Sequence, residues 1–111
     1  MPQFLLLLYH DPAGWQDMSA EARQAETAKY MAWAQRPFAR GAQRLIDESG
    51  KVMRSSGGRP QVMDGPYSET KEILGGFFVI EAADYAEAVE RTRDHPHLGH
   101  GTIEIRQVFG T

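Results

Sequence analysis

The sequence contains no cysteine. That single absence removes disulfide staples, thiolate metal sites and cysteine nucleophiles together, and it fits a reducing compartment. Long apolar runs are missing too. The block from Phe4 to Leu8 is far below the roughly 20 residues that a membrane-spanning helix needs. Lysine and arginine form no cluster and do not alternate with aromatics, and the formal net charge of −3 is spread along the chain, so nucleic acid is not an expected partner. The opening Met-Pro-Gln-Phe has no basic stretch, and no small-residue cleavage site follows it. Together these absences lead to the expectation of a cytoplasmic protein that uses neither a membrane nor a nucleic acid.

What remains suits one globular domain over residues 1–111. A chain of this length buries roughly two thirds of its unfolded surface and can hold a core without staples. Phe4-Leu5-Leu6-Leu7-Leu8-Tyr9, closed by His10-Asp11-Pro12, reads as a strand buried on both faces. Ser19 is placed to cap a helix beginning at Ala20, with Glu21 in its first turn. Ala22, Ala25, Ala28 and Ala32 recur at helical spacing, and the helix should run to about Gln35 before Pro37 breaks it.

The middle is irregular. Leu45-Ile46, Val52-Met53 and Pro60-Gln61-Val62-Met63 are separated by the turn signals Asp47-Glu48-Ser49-Gly50 and Ser55-Ser56-Gly57-Gly58, which predicts a short β-meander. Gly75-Gly76 then opens a second strong strand, Phe77 to Glu81. Asp84 and Glu87 have capping-box spacing for a helix through Ala86, Val89 and Thr92 that Pro96 stops. The last strand, Thr102 to Val108, turns Ile103 and Ile105 one way and Glu104 and Arg106 the other.

The order β-α-β-(β)-β-α-β predicts an α+β fold of the ferredoxin-like, split βαβ kind. Its antiparallel sheet should carry two helices on one face, with the two most apolar strands central and the C-terminal strand at or near an edge. Two helices cover only one face, yet Phe77 and Val79 lie opposite Phe78 and Ile80. Either a second copy of the sheet covers the other face, giving a homodimer, or the middle segment folds over it.

The stretch Asp64-Gly65-Pro66-Tyr67-Ser68-Glu69-Thr70-Lys71-Glu72 is the most distinctive in the chain. As a ligand loop it would use Asp64 as acceptor or base, Lys71 as anion partner and Tyr67 as a lid. As a turn it needs only the Asp64 side chain to cap it. These residues, followed by Leu74-Gly75-Gly76-Phe77-Phe78, resemble the signature of the DGPF-motif, YCII-related proteins. Pro96-His97-Leu98 with Gly101-Thr102-Ile103-Glu104-Ile105-Arg106 is similar to that family's C-terminal end, and Phe4 to Tyr9 fits its opening. The resemblance covers nearly the whole chain.

That resemblance implies a dimeric α+β barrel made by pairing two sheets, in a superfamily with muconolactone isomerase-like proteins and cofactor-free monooxygenases. It also implies a rival reading, a non-enzymatic regulatory or protein-interaction module linked to an alternative sigma factor. The smaller YciI-type relatives are credited with a His–Asp pair, a histidine on the first helix and an aspartate before a proline. Here no histidine lies from Ala20 to Arg36, and His95 precedes Pro96. That pair is not carried over.

The expected activity is therefore binding or conversion of a small molecule between paired sheets, with Asp64 and His97 as catalytic candidates. Tyr67, Lys71, Glu104, Arg106 and His10 are the candidate ligand contacts. Glu104 and Arg106 share a strand face, and would be either polar groups in an apolar cavity or an exposed ion pair. His95, His97 and His100 have spacing that a metal could use, but a loop of helix-capping, solvated histidines has the same composition, and no metal is expected. Trp15, Tyr30 and Trp33 read as packing residues. No Walker loop, nucleophile elbow or dinucleotide fingerprint is present, so no cofactor is expected.

Overall fold

The computed structural model describes residues 1–111. Strand β1 (Gln3–His10) is followed by a one-turn helix α1 (Pro12–Gln16) and the long helix α2 (Ala20–Trp33). Strands β2 (Ala39–Arg44), β3 (Lys51–Ser56), β4 (Arg59–Asp64) and β5 (Ile73–Glu81) come next. Helix α3 (Tyr85–Thr92), a 3-10 turn (Pro96–Gly99) and β6 (Gly101–Gln107) complete the chain. No helix is long and apolar enough to cross a membrane.

The main sheet is antiparallel in the order β2-β5-β1-β6. The two most apolar strands are central and the alternating last strand is an edge, which is the ferredoxin-like arrangement. Phe4 faces Ile80 and Leu6 faces Phe78 across β1 and β5. With Leu8, Trp33, Ala82 and Ala88 these residues form the core between the sheet and helices α2 and α3. Ile103 and Ile105 close its edge.

The caps form where the side-chain chemistry requires them. Ser19 accepts a hydrogen bond from the Ala22 amide at 3.0 Å, and Asp84 accepts one from the Glu87 amide at 2.9 Å. Asp11, beyond the first strand, caps α1 through the Ala13 amide, with Pro12 in the first turn where its missing N–H costs nothing. That extra helix was not foreseen. Helix α2 ends at Trp33, two residues before the expected Gln35.

Two differences matter for the site. Strand β2 contains Ala-Arg-Gly-Ala-Gln-Arg and lies upstream of the apolar Leu45-Ile46 pair. An edge strand with two small inward residues has no apolar alternation to reveal it. The middle segment does form a hairpin, β3–β4, but as a separate two-stranded sheet. The thinnest extent of the molecule is 18 Å, room for one sheet and one helix layer. Leu5, Leu7, Phe77 and Val79 therefore keep a half-buried face that nothing in the chain covers.

Candidate functional site

A cleft of about 510 Å³ opens at the end of the sheet where β1 and β2 finish and β5 begins. Helices α1 and α2 and the 3-10 turn wall it in. Its floor is apolar, from Leu8, Ala42 and Phe78, and its polar groups come from separate segments: His10, Tyr30, Arg44, His97 and His100. An enclosed apolar volume with a few converging polar groups is the usual form of a small-molecule site.

His10 is placed there by a β-bulge. Leu8 pairs with Gly76 and Tyr9 with Leu74, so Gly75 is the extra residue on β5, and such bulges redirect neighbouring side chains. A Cβ at Gly75 would lie 2.1 Å from His10 Cε1 and 2.3 Å from Nδ1. Only glycine lets the imidazole lie against the backbone here. The other ring nitrogen, Nε2, is 3.0 Å from Asp47 Oδ1, and the two side chains are only 16 % and 14 % exposed. A carboxylate can only accept, so Nε2 carries the proton and Nδ1 of the neutral ring keeps its lone pair. Nδ1 makes no hydrogen bond in the protein.

His97 is built differently. It is 3 % exposed, and both ring nitrogens are engaged. Nε2 donates to the Tyr9 carbonyl at 2.8 Å, which leaves Nδ1 to accept from the Tyr30 hydroxyl at 2.7 Å. Burial lowers its pKa, against the Tyr9 contact, and the nearby His10 and His100 add to the effect. Burial pushes the Tyr30 phenol up to about 12, helped by Glu26. Both groups thus stay neutral near pH 7, with the Tyr30 oxygen held in place by the histidine behind it. The His10 and His97 rings are 6.0 Å apart.

The 3-10 turn that carries His97 is anchored from two sides. Asp94 accepts from Trp33 Nε1 at 3.1 Å and pairs with Arg36 at 2.7 Å. His95 Nδ1 accepts from the His97 amide at 3.0 Å. His95 packs against Trp33 and Phe78 at ring separations of 4.4 and 4.6 Å, and its Nε2 is buried without a hydrogen-bond partner. Burial lowers its pKa to about 4, and His97 contributes. His100 pairs with Glu26 at 2.9 Å. The three histidines of the C-terminal cluster therefore have three separate partners and do not converge on one point.

Of the candidate catalytic and ligand-contact residues, His10 and His97 meet in this cleft, where His100 of the histidine cluster also stands. The other catalytic and ligand-contact candidates lie elsewhere. Asp64 ends the exposed hairpin and pairs with Lys51, both side chains more than two thirds exposed. Tyr67 is exposed beneath Arg54, 5.3 Å from its ring centre, and Lys71 is exposed. Gly65 of the same motif has the Ser49 carbonyl where a Cβ would sit, at 1.9 Å, so the motif's glycine serves a close backbone contact. Glu104 and Arg106 share the uncovered face with Leu7 and Leu5. There Glu104 accepts from the Tyr9 hydroxyl at 3.1 Å, and Arg106 stands 3.7 Å from Glu104.

Asp47, Tyr30, Arg44 and Trp15 were not expected in a site. The packing reading of the aromatics holds for Trp33 but is incomplete for the others. Tyr30 holds His97, and Trp15 lies under the Arg44 guanidinium, 4.5 Å from its ring centre. One signal was present in the sequence. Adjacent glycines at the head of an apolar strand weaken it, and they persist where another group must approach closely.

Among solved structures, the fold is similar to that of 5-chloro-2-hydroxyhydroquinone dehydrochlorinase from Burkholderia phenoliruptrix AC1100, determined in complex with 2,5-dihydroxybenzoquinone. The TM-score is 0.51 at 16 % identity, covering 94 % of this chain and 90 % of that one. An uncharacterised protein of Rhizobium meliloti (strain 1021) is 43 % identical over 57 residues, 50 % of this chain. The match spans 46 % of that relative, about half its length. The YCII-related domain model matches residues 2–110, and the chain belongs to that family.

Proposed function

We propose that the cleft binds a small, flat molecule bearing hydroxyl or carbonyl oxygens and moves a proton on it. His10 is the proton acceptor. Asp47 fixes its orientation and would stabilise the imidazolium that forms. The Tyr30 hydroxyl, backed by His97, offers its remaining lone pairs to a ligand hydroxyl. The observation that carries this reading is the His10–Asp47 pair, which engages Nε2 and leaves Nδ1 without a hydrogen-bond partner, in a residue that lines the same cleft as Tyr30. The ligand named with the dehydrochlorinase neighbour, an oxygen-substituted ring, has the size and polarity such a cleft accommodates.

Absorbance titration of the full chain with 2,5-dihydroxybenzoquinone tests the reading. Binding should weaken about tenfold or more in His10→Asn and in Tyr30→Phe, the value of one lost hydrogen bond. Unchanged affinity in both variants would overturn it. A wild-type chain that binds no member of a panel of hydroxylated quinones and phenols would favour the interaction module instead.

The homodimer belongs to the same proposal. A second copy would cover Leu5, Leu7, Phe77 and Val79, and would enclose Glu104, Arg106 and Tyr9 between the sheets, a second place for a polar ligand. Light scattering should give twice the mass of the chain, and Leu7→Asp should give monomer. A monomeric wild type would remove both the dimer and the inter-sheet site.

A further inference from the structure

A second groove, of about 420 Å³, adjoins the cleft and shares Trp15, Thr27, Met31 and Arg44 with it. Its charge is one-sided. Arg23 and Arg44 line it, and no aspartate or glutamate does, in a chain with more acids than bases. Neither arginine has a carboxylate partner, whereas Lys29, Arg36, Arg40, Lys51, Arg91, Arg93 and Arg106 each have one; the other unpaired cations, Arg54, Arg59 and Lys71, are exposed and line neither cavity. Arg23 is nevertheless half-buried. Glu26, the acid one turn along the same helix, is already engaged by Lys29 and His100.

The Arg44 guanidinium carbon stands 4.5 Å over the Trp15 ring, and its N–H groups make no hydrogen bond in the protein. A planar fork held flat by an aromatic ring is suited to a carboxylate, which it grips with two parallel hydrogen bonds. Two cations without a counter-charge in a concave site also raise the local concentration of anions.

We propose that this groove is an anion subsite, and that the substrate class of the cleft is therefore an aromatic or similarly flat acid, its oxygenated ring toward His10 and its carboxylate toward Arg44 and Arg23. The assignment of the ring end rests on the function proposed above; the anion subsite does not.

The test is calorimetric titration of the full chain with three probes: 2,5-dihydroxybenzoate, hydroquinone and benzoate. The wild type should bind 2,5-dihydroxybenzoate at least about tenfold more tightly than hydroquinone, the value of one charge-assisted contact. Arg23→Gln/Arg44→Gln should erase that preference, so that the two hydroxylated probes bind with equal affinity. Arg44→Lys should keep only part of it, because lysine is a point charge without the fork. Equal binding of the two hydroxylated probes to wild type would overturn the anion subsite and leave the proton-transfer reading intact. Benzoate bound by wild type and lost in the double variant, with hydroquinone never bound, would support the subsite and sink the other reading. No binding of any probe would overturn both. Neither arginine makes an ion pair or hydrogen bond in the protein, so the variants should remain folded, and circular dichroism checks this.

Discussion

The hairpin ending in Asp64 and the histidine-lined end of the sheet are opposites. The hairpin and the turn after it concentrate charge and unusual residues in a short stretch of sequence. Yet every residue of β4 is exposed, and Asp64 meets only a solvated lysine, a pair worth at most about 1 kcal/mol. The sheet end draws its groups from β1, α2, the Asp47 loop and the 3-10 turn, and it buries His95 and His97 almost completely. Local chemical density made the first region conspicuous in the sequence. Enclosure by distant segments made the second a site.

The sharpest way to test that contrast is acid. The folded state holds His95 at about 4, while an unfolded histidine titrates near 6.5. The unfolded chain therefore binds the proton first. Stability is complete above about pH 6.5 and falls as pH drops from there to 4, by about 3 kcal/mol if His95 acts alone. The depressed His97 pushes in the same direction. Urea midpoints measured from pH 8 to pH 4 should show this fall, and His95→Gln should flatten it. A flat wild-type profile would mean the buried histidine end is not the costly region proposed here.

Next in size is the glycine beside His10. Gly75→Ala sets a methyl group where the imidazole lies and should cost about 1–3 kcal/mol, in the range of overpacked positions. It should also lift His10 off Asp47, which the NMR shifts of the His10 ring would report. The smallest effect belongs to the hairpin. Asp64→Ala should change stability by no more than about 0.5 kcal/mol, as for other exposed substitutions. If chemical denaturation ranked Asp64→Ala above Gly75→Ala, the comparison would be inverted.

Much of the fold was legible because it is written locally. The apolar runs Phe4–Tyr9 and Phe77–Glu81 specified the central strands, and Ser19 and Asp84 the helix starts, because period and capping act over a few residues. The last strand's alternation identified an edge. The same logic failed at β2, whose small and polar residues make an edge strand without apolar periodicity. The chain alone fully buries only the face of Phe4, Leu6 and Leu8. In the site, His10 and His97 were legible as histidines near element ends. Their partners were not. Asp47 is 37 residues from His10 and Tyr30 is 67 from His97, and no short-range pattern connects such pairs.

The sequence by itself determined the family, the α+β order and the central strands, because hydrophobic period, caps and turn residues are short-range properties. Only the tertiary structure decided where the cleft lies, which histidine keeps an unpartnered nitrogen, and which cations are left without a counter-charge. Those depend on strand register, on a one-residue bulge at Gly75, and on how loops from opposite ends of the sequence converge. Side-chain identity supplies the chemical groups, but their protonation and pairing are set by burial and by neighbours that only folding brings together.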